Sequence, residues 1–206
     1  KRQGESVRDP LNYWDVNVNG SCQLLNAMRS NDCHTIVFSS SATIYGVPKQ
    51  VPIPETSRVQ AINPYGNSKA AVEYMLSDLA KSEPYWRIAC LRYFNPVGAH
   101  PSGHIGEDPK GVPNNLLPFV SQVAVGKRER LQVFGDDWPT SDGSGVRDYI
   151  HVMDLAEGHK AALNTLLEED PQMITVNLGS GKGYSVLEVV KAFEIASKRS
   201  VPYEVV

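Results

Sequence analysis

Short apolar runs alternate with amphipathic stretches along most of this chain, and that alternation limits the fold more than any other feature. Thr35-Ile-Val-Phe-Ser39 and Arg87-Ile-Ala-Cys-Leu-Arg-Tyr-Phe94 read as buried parallel strands, as do residues 131–134, 146–152 and 174–178. Between them, residues 12–29, 68–81, 114–126, 154–167 and 185–198 carry apolar side chains at helical spacing. Pro64 stands where a first helical turn begins, and Asp154 reads as an N-cap. Strand–helix alternation of this kind predicts an α/β fold with a parallel sheet. Residues 45–63 and 95–113, rich in Pro or Gly, read as loops, and the composition shift near Gly98 marks the best boundary.

Composition narrows the partners. The chain has 206 residues, 41% hydrophobic and 21% charged, with a net charge of −3, so no basic face for nucleic acid or an anionic membrane is expected. No run approaches the roughly 20 apolar residues of a membrane span, and no signal-peptide pattern opens the chain. Cys22, Cys33 and Cys90 are widely spaced, which predicts reduced thiols in a cytoplasmic protein and no zinc site. The five histidines show no ligand pattern and read as core or surface residues. Lys1 opens the chain without Met, and Val-Pro-Tyr-Glu-Val-Val closes it as a strand, so both ends read as cut.

The chemistry concentrates in Asn63-Pro-Tyr65-Gly-Asn-Ser-Lys69. Tyr65 and Lys69 are one helical turn apart and share a face. An ammonium beside a phenol favours phenolate, so the pair is a workable acid/base unit with a lowered tyrosine pKa. A solvated lysine and an interfacial tyrosine satisfy the same spacing. Context decides between them. Some twenty residues earlier an apolar strand ends in Ser39-Ser-Ser41-Ala-Thr43, and a parallel strand delivers ligand-binding groups at its carboxyl end. Ser41 and Thr43 are therefore expected beside Tyr65, while Ser39 reads as a local turn residue.

These blocks, with Leu91-Arg-Tyr-Phe-Asn-Pro-Val-Gly-Ala-His100, resemble the extended short-chain dehydrogenase/reductase family. Gly106-Glu-Asp-Pro-Lys-Gly-Val-Pro-Asn-Asn-Leu116 and Gly145-Val-Arg-Asp-Tyr-Ile-His-Val-Met-Asp154 resemble its UDP-glucose 4-epimerase branch. The resemblance implies a partial Rossmann-like, doubly wound parallel sheet with a smaller mixed α/β substrate lobe. Residues 1–98 would be the carboxyl-terminal part of the NAD domain and 99–206 mainly the UDP-sugar lobe, with segments near 146–155 and 173–180 returning to the main domain. NAD is the implied cofactor, and UDP-galactose and UDP-glucose, interconverted through a 4-keto intermediate, are the implied substrates.

By the same resemblance, Tyr65 would take the sugar 4-hydroxyl proton, with Lys69 lowering its pKa and binding the nicotinamide ribose. Ser41 would assist, with Ala42 and Thr43 against the sugar. Lys1, Tyr93 and Phe94 would lie toward the cofactor and Asn95 toward the substrate. Asn114, Asn115, Leu116, Gln132, Val133 and Phe134 would line the uridine diphosphate. Arg147 would pair with the diphosphate, against a local ion pair with Asp148 or Asp142. Helices near residues 12–29 and 64–81 would form a homodimer.

Gly179-Ser-Gly181-Lys-Gly183-Tyr184 imitates a dinucleotide fingerprint, but Tyr stands where the third small residue belongs. A turn followed by a capping box of Ser185 and Glu188 accounts for it. The family's own fingerprint, its ribose-holding acid and its first strands would lie upstream of Lys1. Rival readings are another epimerase of the family, acting on UDP-pentoses or UDP-N-acetylhexosamines, a decarboxylase, a dehydratase, or a non-catalytic truncated chain. Ser41-Ala-Thr43-Ile44, standing where dehydratases carry an acidic pair, argues against the dehydratase.

Overall fold

A computed structural model of the protein describes residues 3–206, so Lys1 lies outside the described residues. In chain order the helices are α1 (Gln3–Arg8), α2 (Pro10–Trp14), α3 (Gly20–Ser30), α4 (Pro64–Ser82), α5 (Leu116–Ala124), α6 (Val152–Glu168) and α7 (Val186–Ser197). The strands are β1 (Thr35–Ser41), β2 (Arg87–Tyr93), β3 (Asn95–Val97), β4 (Leu131–Val133), β5 (Val146–His151), β6 (Met173–Leu178), β7 (Gly183–Ser185) and β8 (Tyr203–Val205). The chain divides into two compact units, crossing between them at Phe94–Asn95, Met153–Asp154 and Leu178–Gly179. None of the described helices is long and apolar enough to cross a membrane.

The first unit, up to Phe94 with Asp154–Leu178, is built on a parallel sheet in the order β1-β2-β6. Strand β2 is central and buried on both faces, as its alternation of side chains requires. Ile88 and Cys90 pack with Leu25 of α3, Val72 and Leu76 of α4, and Trp86. Ala89 and Leu91 point the other way, onto Ala162 and Leu166 of α6 with Val37, Ile174 and Val176. Helices on both faces of a parallel sheet make this a doubly wound arrangement.

The second unit, Asn95–Met153 with Gly179–Val206, holds β3 parallel to β5, β7 antiparallel to β5, and β4 parallel to β8. Its core gathers Val120 and Val123 of α5, Leu131 and Val133 of β4, Val190 of α7, and Val201.

Two local readings of the sequence change. Residues 10–30 are helical throughout but contain a π-helical turn at Asp15–Asn19, a wider winding that apolar spacing alone does not reveal. Asp154 is not the N-cap of α6. The helix starts at Val152, where the His151 ring nitrogen Nδ1 accepts the Met153 N–H at 3.2 Å, and Asp154 falls within the first turn. The capping box is present, with Ser185 and Glu188 each accepting the other's backbone N–H.

The entry of α4 is tightly determined. Pro64 opens it, and the Asn63 side chain accepts the Gly66 N–H at 2.8 Å. A Cβ on Gly66 would lie 2.8 Å from the Ala61 Cβ and 3.0 Å from the Thr43 carbonyl oxygen, so glycine lets the helix start close to the turn after β1. Gly66→Ala is expected to destabilise the fold, because overpacking costs about 1–3 kcal/mol while the helix-propensity gain is at most about 1 kcal/mol. Leu76→Ala, at a side chain 1% exposed, should cost about 2–5 kcal/mol. Urea denaturation of both variants checks these values.

Candidate active site

Strand β1 delivers hydroxyls at its carboxyl end. Ser41 closes the strand and caps a 3₁₀ turn over Ala42–Tyr45, accepting the Thr43 N–H at 3.3 Å. Its hydroxyl also shares a 2.6 Å hydrogen bond with that of Thr43. Ser41 is in register with Tyr93 of β2, so both residues stand at the same sheet end. Phe94 follows directly, its N–H donating to the Leu178 carbonyl at 3.1 Å.

Helix α4 brings the acid/base pair to this place. The Tyr65 phenol lies near the Ser41 hydroxyl and the Tyr93 phenol. Its ring meets that of Tyr13 edge-on, with centroids 6.3 Å apart. One turn later, Lys69 donates its ammonium Nζ to the Ser39 carbonyl at 3.0 Å, 4.9 Å from the Phe38 ring centroid and 6.0 Å from that of Tyr65. Ser41, Thr43, Tyr65, Lys69 and Tyr93 are thus assembled at one end of the sheet. Ser39 does more than terminate a strand: its carbonyl receives the lysine, and its hydroxyl lies 3.4 Å from His159 Nε2.

Burial dominates the electrostatics. It raises the Tyr65 pKa above the ordinary phenol range, against the opposing pull of the Ser41 hydrogen bond, with Tyr93 adding to the rise. Burial also lowers the Lys69 pKa below its ordinary value. The expected lowering of Tyr65 by Lys69 is therefore not what this geometry gives. The ammonium is directed at a backbone carbonyl, and desolvation of the phenol outweighs the favourable contributions. Cys90, behind the site, is pushed up to about 12 by burial and by Glu73, so its thiol belongs to the core.

Sequence reasoning missed a buried polar network beneath the pair. Arg92 reaches Glu73 from Nε at 3.0 and 3.1 Å and from Nη2 at 2.6 Å. Its Nη1 donates to the Tyr45 hydroxyl at 2.9 Å and the Glu55 carbonyl at 3.0 Å. Tyr45 in turn donates to Asn177 at 2.6 Å, and Ser40 donates to Glu73. An arginine inside an otherwise apolar strand was the available signal. Asn17, in the π-helical turn, was also missed: its side chain donates to the Ser68 hydroxyl at 2.9 Å, which donates to the Tyr65 carbonyl at 2.9 Å.

The nucleotide candidates all lie in the second unit. Asn95 is held to β5, donating to the Asp148 carbonyl at 3.0 Å. Asn114 is exposed, Asn115 donates to Glu107 at 2.9 Å, and Leu116 packs against the core that contains Val133. On β4, Gln132 and Phe134 face outward while Val133 is buried, so any contact it makes with a ligand is through its backbone. Arg147 is exposed and donates to the Val146 carbonyl at 2.7 Å. Among the described residues it makes no ion pair with Asp142 or Asp148. Asp142 is engaged with Ser144 and Ser185, and Asp148 accepts from Ser180 and Gly181. That last clamp also disposes of the fingerprint-like turn, whose amides already bind a carboxylate of the chain itself.

Comparison with known proteins agrees with this arrangement. The model of the NAD dependent epimerase/dehydratase family matches residues 2–179. The UDP-glucose 4-epimerase of Bacillus subtilis is 57% identical over 203 residues, covering 98% of this chain and 60% of that protein. That of Mus musculus is 56% identical over 207 residues, covering 100% of this chain and 59% of the relative. A UDP-glucose 4-epimerase from Stenotrophomonas maltophila, solved with NAD and formylated UDP-arabinopyranose, superposes with a TM-score of 0.97 at 51% identity, covering 100% of this chain and 61% of that one. The chain therefore spans about three-fifths of the length of the relatives it matches. With the doubly wound sheet and the assembled Ser41, Tyr65 and Lys69, these matches place the chain in the NAD dependent epimerase/dehydratase family.

Proposed function

We propose that the protein interconverts UDP-glucose and UDP-galactose by inverting the sugar C4, with NAD as cofactor. The observation that carries this reading is the gathering of the Tyr65 phenol, the Ser41 hydroxyl and Lys69, one turn away, at the carboxyl end of a parallel sheet. The relatives named as UDP-glucose 4-epimerases support the substrate class.

The residues present fit the nicotinamide end of such a cofactor. Lys69 offers an ammonium in a partly buried position suited to a ribose hydroxyl, and Tyr93 and Phe94 flank the same strand end. Bound NAD supplies reversible hydride acceptance at C4. Tyr65 takes the 4-hydroxyl proton and later returns it, so no net redox change results. The Ser41 hydroxyl, which shares a hydrogen bond with that of Thr43, assists this transfer. Asn95 contacts the sugar. Asn114, Asn115, Leu116, Gln132, Val133 and Phe134 take the uridine diphosphate, and the exposed Arg147 guanidinium takes its charge. Lys1 takes a place near the cofactor. The free thiols of Cys22, Cys33 and Cys90 suit a cytoplasmic location.

The assay supplies NAD and follows UDP-galactose conversion, using this chain and a chimera completed with the remaining segments of the Bacillus subtilis relative. Tyr65→Phe should lower turnover by about 10²–10⁴-fold while UDP binding persists. Undiminished turnover in that variant, or none with the unsubstituted chimera, would overturn the assignment.

We further propose a homodimer through the helices near residues 12–29 and 64–81. Val16 and Leu24 on one segment and Tyr74 on the other are exposed apolar side chains. Leu24→Glu should convert a dimer to a monomer in light scattering, and an unchanged mass would exclude this face.

A further inference from the structure

The Glu73–Arg92 pair is almost fully enclosed, with Glu73 6% and Arg92 7% exposed. Buried ion pairs of this kind are weak contributors to stability, and apolar residues of similar volume replace them without loss in many proteins. Its placement suggests another use. Tyr65, Lys69 and Glu73 recur every fourth residue on α4 and so share one face of the helix. The apolar residues of that helix, Val72 and Leu76, hold it against the sheet by contacts that tolerate rotation and sliding. The bonds of Glu73 do not tolerate either, because they are directional.

Those bonds run to the strand positions that flank the reacting groups. Ser40, which donates to Glu73, precedes Ser41. Arg92, which grips both Glu73 oxygens, precedes Tyr93. Tyr45, which accepts from Arg92, lies two residues past Thr43 and is tied to β6 through Asn177. Asn177 in turn donates to the Ile53 carbonyl at 2.7 Å.

We propose that Glu73 and Arg92 are positioning residues that fix the rotation and depth of α4 against β1 and β2, and so hold Lys69 on the Ser39 carbonyl and Tyr65 beside Ser41. The functional meaning of this device rests on the reading of Tyr65 and Lys69 as the acid/base pair. The pair contributes no net charge, so its effect on the site is geometric.

The test replaces the network with an apolar one, Ser40→Ala with Glu73→Leu and Arg92→Met, in this chain. Two properties are read: the thermal melt, and the titration of Lys69 followed by ¹³Cε NMR and assigned by its loss in Lys69→Met. In the parent chain burial holds Lys69 below the ordinary lysine range. The apolar variant should melt within a few degrees of the parent, while the Lys69 transition rises by about half a pH unit as the ammonium regains water. A folded variant in which Lys69 titrates as in the parent overturns the proposal and leaves the pair a structural element only. Should the triple variant fail to fold, Glu73→Asp decides: it keeps both charges but withdraws the carboxylate by one methylene. A raised Lys69 transition there supports the proposal, and an unchanged one overturns it. The readout is a proton on Lys69 and needs no turnover, so a missing epimerase activity would count against the proposed reaction and not against this result.

Discussion

Strand β2 is buried on both faces along its length, yet Arg92 near its carboxyl end carries a charge. A guanidinium in that position must satisfy five N–H donors without water, and the unit is arranged around this requirement. Glu73 comes from the helix on one side, Tyr45 and the Glu55 carbonyl from the segment after β1, and Ser40 and Asn177 complete the shell from the two neighbouring strands. Among the described residues, no buried side-chain polar atom is left without a partner. Elements that hydrophobic packing alone would leave free to slide are thereby tied at one level, just behind Ser41 and Tyr93.

The sheet, its flanking helices and the gathering of Ser41, Tyr65 and Lys69 at one strand end were legible because each depends on local pattern. A continuous apolar run in β2, helical spacing in α4, and a hydroxyl-rich strand end are features of a few consecutive residues. What escaped depends on partners far apart in the chain. Glu73 and Arg92 are 19 residues apart, and Tyr45 and Asn177 are 132 apart. No spacing rule connects them. The same reason explains Asp148, whose carboxylate occupies the amides of the Gly179–Tyr184 turn from 32 residues away. Val133 shows a different limit: the direction of its side chain follows from the strand's register on the core, which turns every second residue inward.

The phenol–ammonium pair shows how a correct motif can carry an incorrect electrostatic inference. Spacing on a helix says that Tyr65 and Lys69 share a face, and Coulomb's law then suggests a stabilised phenolate. The structure adds two facts: both groups lose water, and the ammonium is held by the Ser39 carbonyl. Desolvation favours the neutral form of each, which raises the tyrosine and lowers the lysine.

A group that exchanges protons reversibly must not be trapped in one state, and burial without a fixed counter-charge achieves that only if the geometry is rigid. Tyr65 has Ser41, Thr43 and Tyr93 around it, all neutral, and the nearest paired charges, Glu73 and Arg92, cancel one another. An uncompensated arginine at the end of β2 would favour the phenolate, and a lone Glu73 would hold Lys69 protonated. Keeping the two together supplies directional anchors without adding a net charge beside Tyr65 and Lys69, which a network of neutral side chains could not do with bonds of equal strength.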